Sequence, residues 1–143
     1  MRKFLSNYIL AFTEHSRNSL SPKDADSILQ TLVEFLIKFL SNGEGALVIR
    51  KLCSTLVAFF LQFSTQWTHC IKHLTYCLYR NQALEYSTVV DEVPEASVML
   101  QDMPSHQLVA ILWFSSGLVE EVGKMDSNSM KQFERTNPCI CLC

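Results

Sequence analysis

Apolar side chains recur at steps of three and four residues through most of the chain, and short polar turns separate these runs. This period is that of amphipathic helices, whereas no convincing stretch alternates apolar with polar residues as a half-buried strand does. The pattern predicts a short first helix that ends near residue 15, followed by helices over 22–41, 46–63, 66–80 and 105–123. The predicted fold class is therefore all-α.

The helix over residues 46–63 is apolar around most of its circumference, so neighbours are expected to cover it on several sides. One narrow polar stripe interrupts the apolar surface at helical spacing. Its members are Arg50, Lys51, Ser54, Thr55 and Gln62. The sequence predicts an inner helix with one edge in solvent.

Local signals place several helix ends. Ser21 followed by Pro22 and Asp24 is typical of a helix start, and the pair Asn42–Gly43 tolerates the left-handed backbone that ends many helices. Ser105 is expected to cap the last helix, whose inward residues are predicted to include Leu108, Ile111, Leu112, Leu118, Val119 and Val122. The acidic, proline-containing residues 81–104 predict a long loop with room for a short helix.

Amphipathic helices that alternate with more apolar ones across short turns favour an α-solenoid of antiparallel helical hairpins, in the HEAT or armadillo class. The expected hairpins pair 22–41 with 46–63 and 66–80 with 105–123. A four-helix bundle is the alternative architecture. Residues 1–126 form the predicted helical region, and 127–143 an irregular cysteine-rich tail.

Composition limits the classes of partner and the cellular compartment that fit this chain. The 143 residues are 48% hydrophobic, which is enough for one continuous core. The net charge of −2 lacks the basic excess of nucleic-acid-binding proteins, so no nucleic-acid partner is predicted. The six cysteines come with no secretory signal, and Cys53, Cys70 and Cys77 occupy apolar helical positions, which indicates a reducing cytosolic or nuclear setting. Residues 52–63 are too short to span a bilayer, so no membrane insertion is expected.

No pattern of known catalytic chemistry stands out, and neither an enzymatic activity nor a cofactor is predicted. A Gly-rich phosphate loop and a nucleophile elbow are both missing from the sequence. His69, His73 and Cys77 share a predicted helix face, but three ligands over that span cannot meet one zinc ion, and a partly exposed polar flank is expected there. The tail cysteines Cys139, Cys141 and Cys143 have a spacing that suits neither a structural zinc site nor a four-residue prenylation motif.

An ordered set of features resembles the N-terminal HEAT repeats of the importin-beta superfamily, the karyopherins, and within it the branch of transportin-SR and importin thirteen. The features are Lys51-Leu52-Cys53 within the run 40–60, then Trp67, then the leucine-rich helix from Leu112 to the acidic residues before Val122. The resemblance covers roughly residues 2–127. The sequences of HEAT helices vary widely, so the resemblance rests on the ordered combination of these features and not on any single motif.

The resemblance implies a piece of a nuclear transport receptor that binds cargo and the GTP-bound small GTPase Ran, moving between cytoplasm and nucleus. In that family the second helix of an early repeat holds the GTPase. This makes Arg50, Lys51, Ser54 and Thr55 the expected contact residues, unless the stripe is only a solvated helix edge. A helical-repeat scaffold with other protein partners is the alternative function. Exposed apolar repeat ends predict self-association of the isolated chain.

Overall fold

A computed structural model of the protein describes residues 21–86 and 93–124. These residues form five helices and no strand, which confirms the all-α class. The helices are α1 (Pro22–Ser41), α2 (Ala46–Gln62), α3 (Cys70–Arg80), α4 (Ala96–Asp102) and α5 (Ser105–Val122). The predicted short first helix and the predicted irregular tail at 127–143 lie outside the described residues.

The ends of α1 follow the predicted local signals. The Ser21 hydroxyl accepts a hydrogen bond from the Asp24 amide at 3.2 Å, and Pro22 opens the helix where its missing N–H costs nothing. At the other end, Gly43 adopts a left-handed φ of 70°. Its amide bonds to the Leu40 carbonyl and the Glu44 amide to that of Phe39, so the last carbonyls of α1 are satisfied before the chain turns back into α2.

The predicted start of the third helix is wrong by four residues, because α3 begins at Cys70 and not at Gln66. The amides of Gln66 and Trp67 both donate to the Phe63 carbonyl. In this turn the Trp67 ring lies in the interior. The far end of α3 is closed by Asn81 in a left-handed conformation, which asparagine tolerates better than most residues. The long loop that follows does contain a short helix, α4.

The start of α5 also differs from the prediction. Ser105 is its first helical residue, and Pro104 occupies the capping position with no side-chain cap. Proline fixes the extended backbone before the helix, and its carbonyl accepts from the amides of Gln107 and Leu108. Here proline geometry, and not a serine hydroxyl, sets the boundary.

The helices pack as two hairpins laid side by side. α1 and α2 are antiparallel, as their short connection requires, and both α3 and α2 pack against α5. The Gln107 amide group at the start of α5 donates to the Leu78 carbonyl at the end of α3, so these two helices are antiparallel. On α2 and α5, by contrast, Cys53 contacts Ala110, and the later residue Val57 contacts the later residue Gly117. Because the contacts advance in the same direction along both helices, α2 and α5 are parallel.

Trp67 lies at the centre of the core, where α2, α3 and α5 meet. Its ring packs edge-on against Phe59 and Phe60 of α2 at centroid distances of 5.9 and 6.0 Å, and it makes a tilted contact with Phe114 of α5 at 5.6 Å. The whole side chain is buried. One large aromatic residue in a turn thus joins the two hairpins.

The predicted inward face of α5 is only partly correct. Ile111 and Leu118 are buried as expected, but Leu112 is 62% and Val119 is 52% exposed. The residues that face the core instead include Gln107, Ala110 and Phe114. Since α5 is apolar around most of its circumference, periodicity alone does not determine which side faces inward. Among the described residues, none of the helices has the length and apolarity needed to cross a membrane.

Candidate protein-binding face

The parallel helices α2 and α5 present one continuous surface of exposed and partly exposed residues, here named the α2–α5 face. Its members on α2 are Leu47, Arg50, Lys51, Ser54 and Ala58, and on α5 they are Val109, Trp113, Ser116, Gly117, Glu120 and Glu121. The two helices approach closely because Gly117 has no side chain. A Cβ atom at Gly117 would lie 3.0 Å from a methyl group of Val57.

Arg50 is held in place although it is exposed. Its guanidinium lies over the Trp113 ring, 4.7 Å from the ring centroid, in a cation–π contact between α2 and α5. Lys51 follows it on the exposed edge of α2 and makes no ion pair with any residue in 21–86 or 93–124. Arg50 therefore offers an oriented positive group, and Lys51 offers an exposed one.

The four predicted contact residues do not all reach this face. Arg50, Lys51 and Ser54 are exposed, whereas Thr55 is 6% exposed and faces the packed side of α2. The Thr55 hydroxyl donates to the Lys51 carbonyl at 2.8 Å, so its polar atom is satisfied within the helix. Thr55 therefore hydrogen-bonds to the backbone of α2 and is not accessible to a partner.

Two hollows lie along the α2–α5 face. One, of about 270 Å³, has a floor of Val57, Ala58 and Leu61 and a rim that includes Glu120 and Glu121. The other, of about 260 Å³, lies at the opposite end, between Ile49, Val109, Trp113 and the side chains of Glu44 and His106. Apolar floors with charged rims are typical of surfaces that bind proteins.

The His73 cluster, which comprises Trp67, His73 and Cys77 with the carbonyls of Leu84 and Glu85, is the second group of chemically versatile side chains. The expectation of a partly exposed flank is wrong for His73, which is buried. The Trp67 indole N–H donates to Nδ1 of His73 at 3.0 Å, so the ring proton of neutral His73 is on Nε2. Nε2 lies 3.0 Å from both loop carbonyls, to which it donates.

The thiols of this region are poor nucleophiles. Burial raises the pKa of Cys77 to about 11, against a lowering influence of the Leu84 amide, and raises the pKa of Cys53 to about 12. Burial also lowers the pKa of His73, against the opposing effects of its carbonyl partners and of Asp26. All three pKa shifts favour the neutral forms, so neither Cys77 in the His73 cluster nor Cys53 on α2 supplies the thiolate that cysteine chemistry requires.

The described residues contain no group of three or more histidine, cysteine, aspartate or glutamate side chains placed to hold a metal ion. His69 precedes α3 and donates nothing to the His73 cluster, while its backbone carbonyl accepts from the His73 amide. The cluster instead holds the segment 81–86 against α3 through the hydrogen bonds from His73 to the carbonyls of Leu84 and Glu85. The Leu84 amide, for example, contacts the Cys77 sulfur at 3.5 Å.

Comparison of the chain with models of protein families, with curated proteins and with solved structures finds no match.

Proposed function

We propose that the protein is a fragment of a nuclear transport receptor of the importin-beta superfamily. In this proposal it is a partial α-solenoid of HEAT-like hairpins that binds Ran in its GTP form, together with protein cargo, and moves between cytoplasm and nucleus. The proposal combines the sequence resemblance with the parallel packing of α2 and α5. No nucleic acid or membrane partner is part of it.

The helix directions support the solenoid over the bundle. In an up-down-up-down four-helix bundle, helices that pack side by side are antiparallel. Stacked repeats place the second helix of one hairpin parallel to the second helix of the next. The contacts of Val57 with Gly117 and of Cys53 with Ala110 give α2 and α5 this parallel relation.

The single observation that carries the binding proposal is the exposed basic edge of α2. Arg50, Lys51 and Ser54 lie on the second helix of a hairpin, at the position that the resemblance assigns to GTPase contacts. The cation–π contact with Trp113 holds the Arg50 guanidinium in one orientation, which reduces the entropy lost on binding. Thr55 is not among the proposed contacts, because it is buried.

The test is a pull-down of the isolated chain with Ran loaded with GTP or with GDP. We expect selective capture of the GTP form, and loss of that capture in the variant Arg50→Glu, Lys51→Glu, because charge reversal at a steered interface repels the partner. The matched control is Lys23→Glu, Lys38→Glu, which changes net charge equally on exposed positions of α1.

Equal capture of both nucleotide forms, or equal loss in the α1 control, contradicts a specific receptor contact on α2. So does an absence of capture by chain whose circular dichroism shows it to be helical. The last outcome would favour the second function below.

The second function is a helical-repeat scaffold with other partners, and the outward side of α5 favours it. Leu112 and Val119 are seven residues apart, so they project on one side of the helix, and both are more than half exposed. Such an apolar row suits a following helix of a longer repeat array or another protein. The test is the capture of protein partners by the chain and by its variant Leu112→Gln, Val119→Gln. Capture that does not depend on GTP and that the variant loses would identify this role.

A further inference from the structure

Residues 81–86, here named the strap, lead from the end of α3 to the start of α1. At the far end of the strap, the Tyr86 amide donates to a carboxylate oxygen of Asp26 at 3.1 Å. The Tyr86 hydroxyl donates to the Pro22 carbonyl at 3.0 Å. The strap therefore links α3 to α1, two helices that also contact each other directly.

His73 of α3 holds the middle of the strap. Its Nε2 lies 3.0 Å from the carbonyl oxygens of both Leu84 and Glu85, and its Nδ1 accepts from the Trp67 indole N–H at 3.0 Å. The Leu84 amide also lies 3.5 Å from the sulfur of Cys77, one helical turn after His73. This set of contacts needs a neutral imidazole, in which one nitrogen accepts and the other donates.

Protonation of His73 is incompatible with the contact to Trp67. An imidazolium carries a proton on both nitrogens, so two N–H donors would face each other across 3.0 Å. The indole is held in place, because its ring packs on Phe59, Phe60 and Phe114 in the core. The imidazolium can relieve the conflict only by moving away from the indole, and the strap carbonyls lie on that other side of the ring.

The groups around His73 decide where it takes up a proton. Burial lowers the pKa of His73, and this effect outweighs the opposite influences of the strap carbonyls and of Asp26 on α1. α3 adds the neutral Cys77 thiol, and the strap adds the Tyr86 phenol, whose pKa is raised by burial and then by Asp26. The Glu85 side chain is exposed, and on the indole side α2 and α5 present aromatic rings. A proton on His73 is therefore better accommodated once the strap has opened and water reaches the ring.

We propose that the strap is a proton-operated latch, in which protonation of His73 releases residues 81–86 from α3 and α1 while the other helices stay packed. Release removes the contacts of Tyr86 with α1. It also uncovers the Cys77 thiol, on which the Leu84 amide lies in the closed form. The latch does not rest on the transport role, because it uses no residue of the α2–α5 face.

The open form should become more populated as the pH falls. In the open strap His73 is in water and regains its ordinary pKa of about 6.5, which is higher than in the closed strap. The open form therefore binds the proton more readily. Closure is fully favoured above pH 6.5 and weakens below it, towards the pKa of the closed form. Between pH 7.5 and pH 5.5 the ratio of open to closed chain should rise by up to about tenfold.

Labelling of the full chain with dithiodipyridine, a disulfide that reacts with accessible thiols at acid pH, measures the opening at Cys77. Each rate is divided by the rate for the urea-unfolded chain at the same pH, which removes the pH dependence of the thiol reaction itself. Mass spectrometry locates the label. We expect the normalised rate at Cys77 to rise by up to about tenfold from pH 7.5 to pH 5.5. Cys53, which is buried against the Ala110 carbonyl of α5, should label far more slowly at both values.

Three variants connect the opening to its cause. His73→Gln keeps one acceptor and one donor group that do not titrate, so it should remove the pH dependence, whereas His69→Gln should keep it. Trp67→Phe retains an aromatic ring in the core and deletes the indole N–H. It should reduce the pH dependence, because no donor then faces the protonated Nδ1. Circular dichroism shows whether each variant remains helical.

Labelling of Cys77 that does not change with pH would overturn the latch. Equal normalised rates at Cys77 and Cys53 would do so too, since they would mean that the whole fold opens at once. A pH dependence that persists in His73→Gln would assign the effect to another group. If that variant does not fold, an undiminished pH dependence in Trp67→Phe would still contradict the conflict between the two donors.

Discussion

Around His73 the polar atoms are enclosed, whereas along the α2–α5 face Arg50, Lys51 and Glu120 are exposed to solvent. The His73 cluster satisfies its ring nitrogens with one indole and two carbonyls, and its thiol stays neutral. On the face, Lys51 and Glu120 form no ion pair with each other or with any other described residue. Chemically versatile residue types thus stabilise the fold, while the ordinary surface charges of the α2–α5 face are the groups that a partner could reach.

The two regions should respond differently to substitution, and the largest expected effect is at Trp67. Trp67→Ala removes the ring between α2, α3 and α5 and leaves Nδ1 of His73 without its buried donor. We expect a loss of about 3–5 kcal/mol in the free energy of unfolding. Urea denaturation measures it, with Trp113→Ala as the control at the half-buried tryptophan. Losses of equal size at both positions would contradict the central role of Trp67.

The next effect concerns the helix contact beneath the face. Gly117→Leu places a side chain against Val57, where a Cβ atom alone is already at 3.0 Å. Overpacking costs about 1–3 kcal/mol and exceeds the gain of about 1 kcal/mol from replacing a helical glycine, so we expect net destabilisation. Ser116→Leu, at the adjacent exposed position, is the control and should not be destabilised. Recovery of stability by Val57→Ala in the Gly117→Leu background would identify the clash as the cause.

A smaller effect should appear in the pH dependence of stability. Burial lowers the pKa of His73, so the unfolded chain binds this proton more readily than the folded chain. Stability from neutral His73 is therefore complete above the unfolded pKa of about 6.5 and declines as pH falls below it towards the folded pKa. His73→Gln should remove this slope, which for one proton is at most about 1.4 kcal/mol per pH unit. Urea denaturation from pH 7.5 to 5 measures it, and His69→Gln should leave the slope in place.

The smallest effect is expected on the face itself. Lys51→Glu, Glu120→Lys keeps the net charge and alters two exposed side chains, so the free energy of unfolding should change by no more than about 0.5 kcal/mol. Thermal and urea unfolding of dilute protein measure this change. A large loss would show that these charges support the fold, and the contrast between the two regions would disappear.

Local sequence determined the helix boundaries where caps were strong. Ser21 with Pro22 opens α1 as predicted, and Asn42 with Gly43 closes it, because these signals act through hydrogen bonds within a few residues. The predicted start at Ser105 was close but rested on the wrong cap. The predicted start at Gln66 failed because Trp67 gains more from burial between two hairpins than from a place in α3.

Sequence also determined the all-α class and the exposed edge at Arg50, Lys51 and Ser54, since polar residues at helical spacing leave the core together. Only tertiary structure decided which side of α5 is buried, that Thr55 and His73 lie inside, and that α2 and α5 run parallel. A helix that is apolar nearly all round has no preferred inward side of its own. The contacts of Phe114 with Trp67 and of Val57 with Gly117 select that side, and they join residues far apart in the chain.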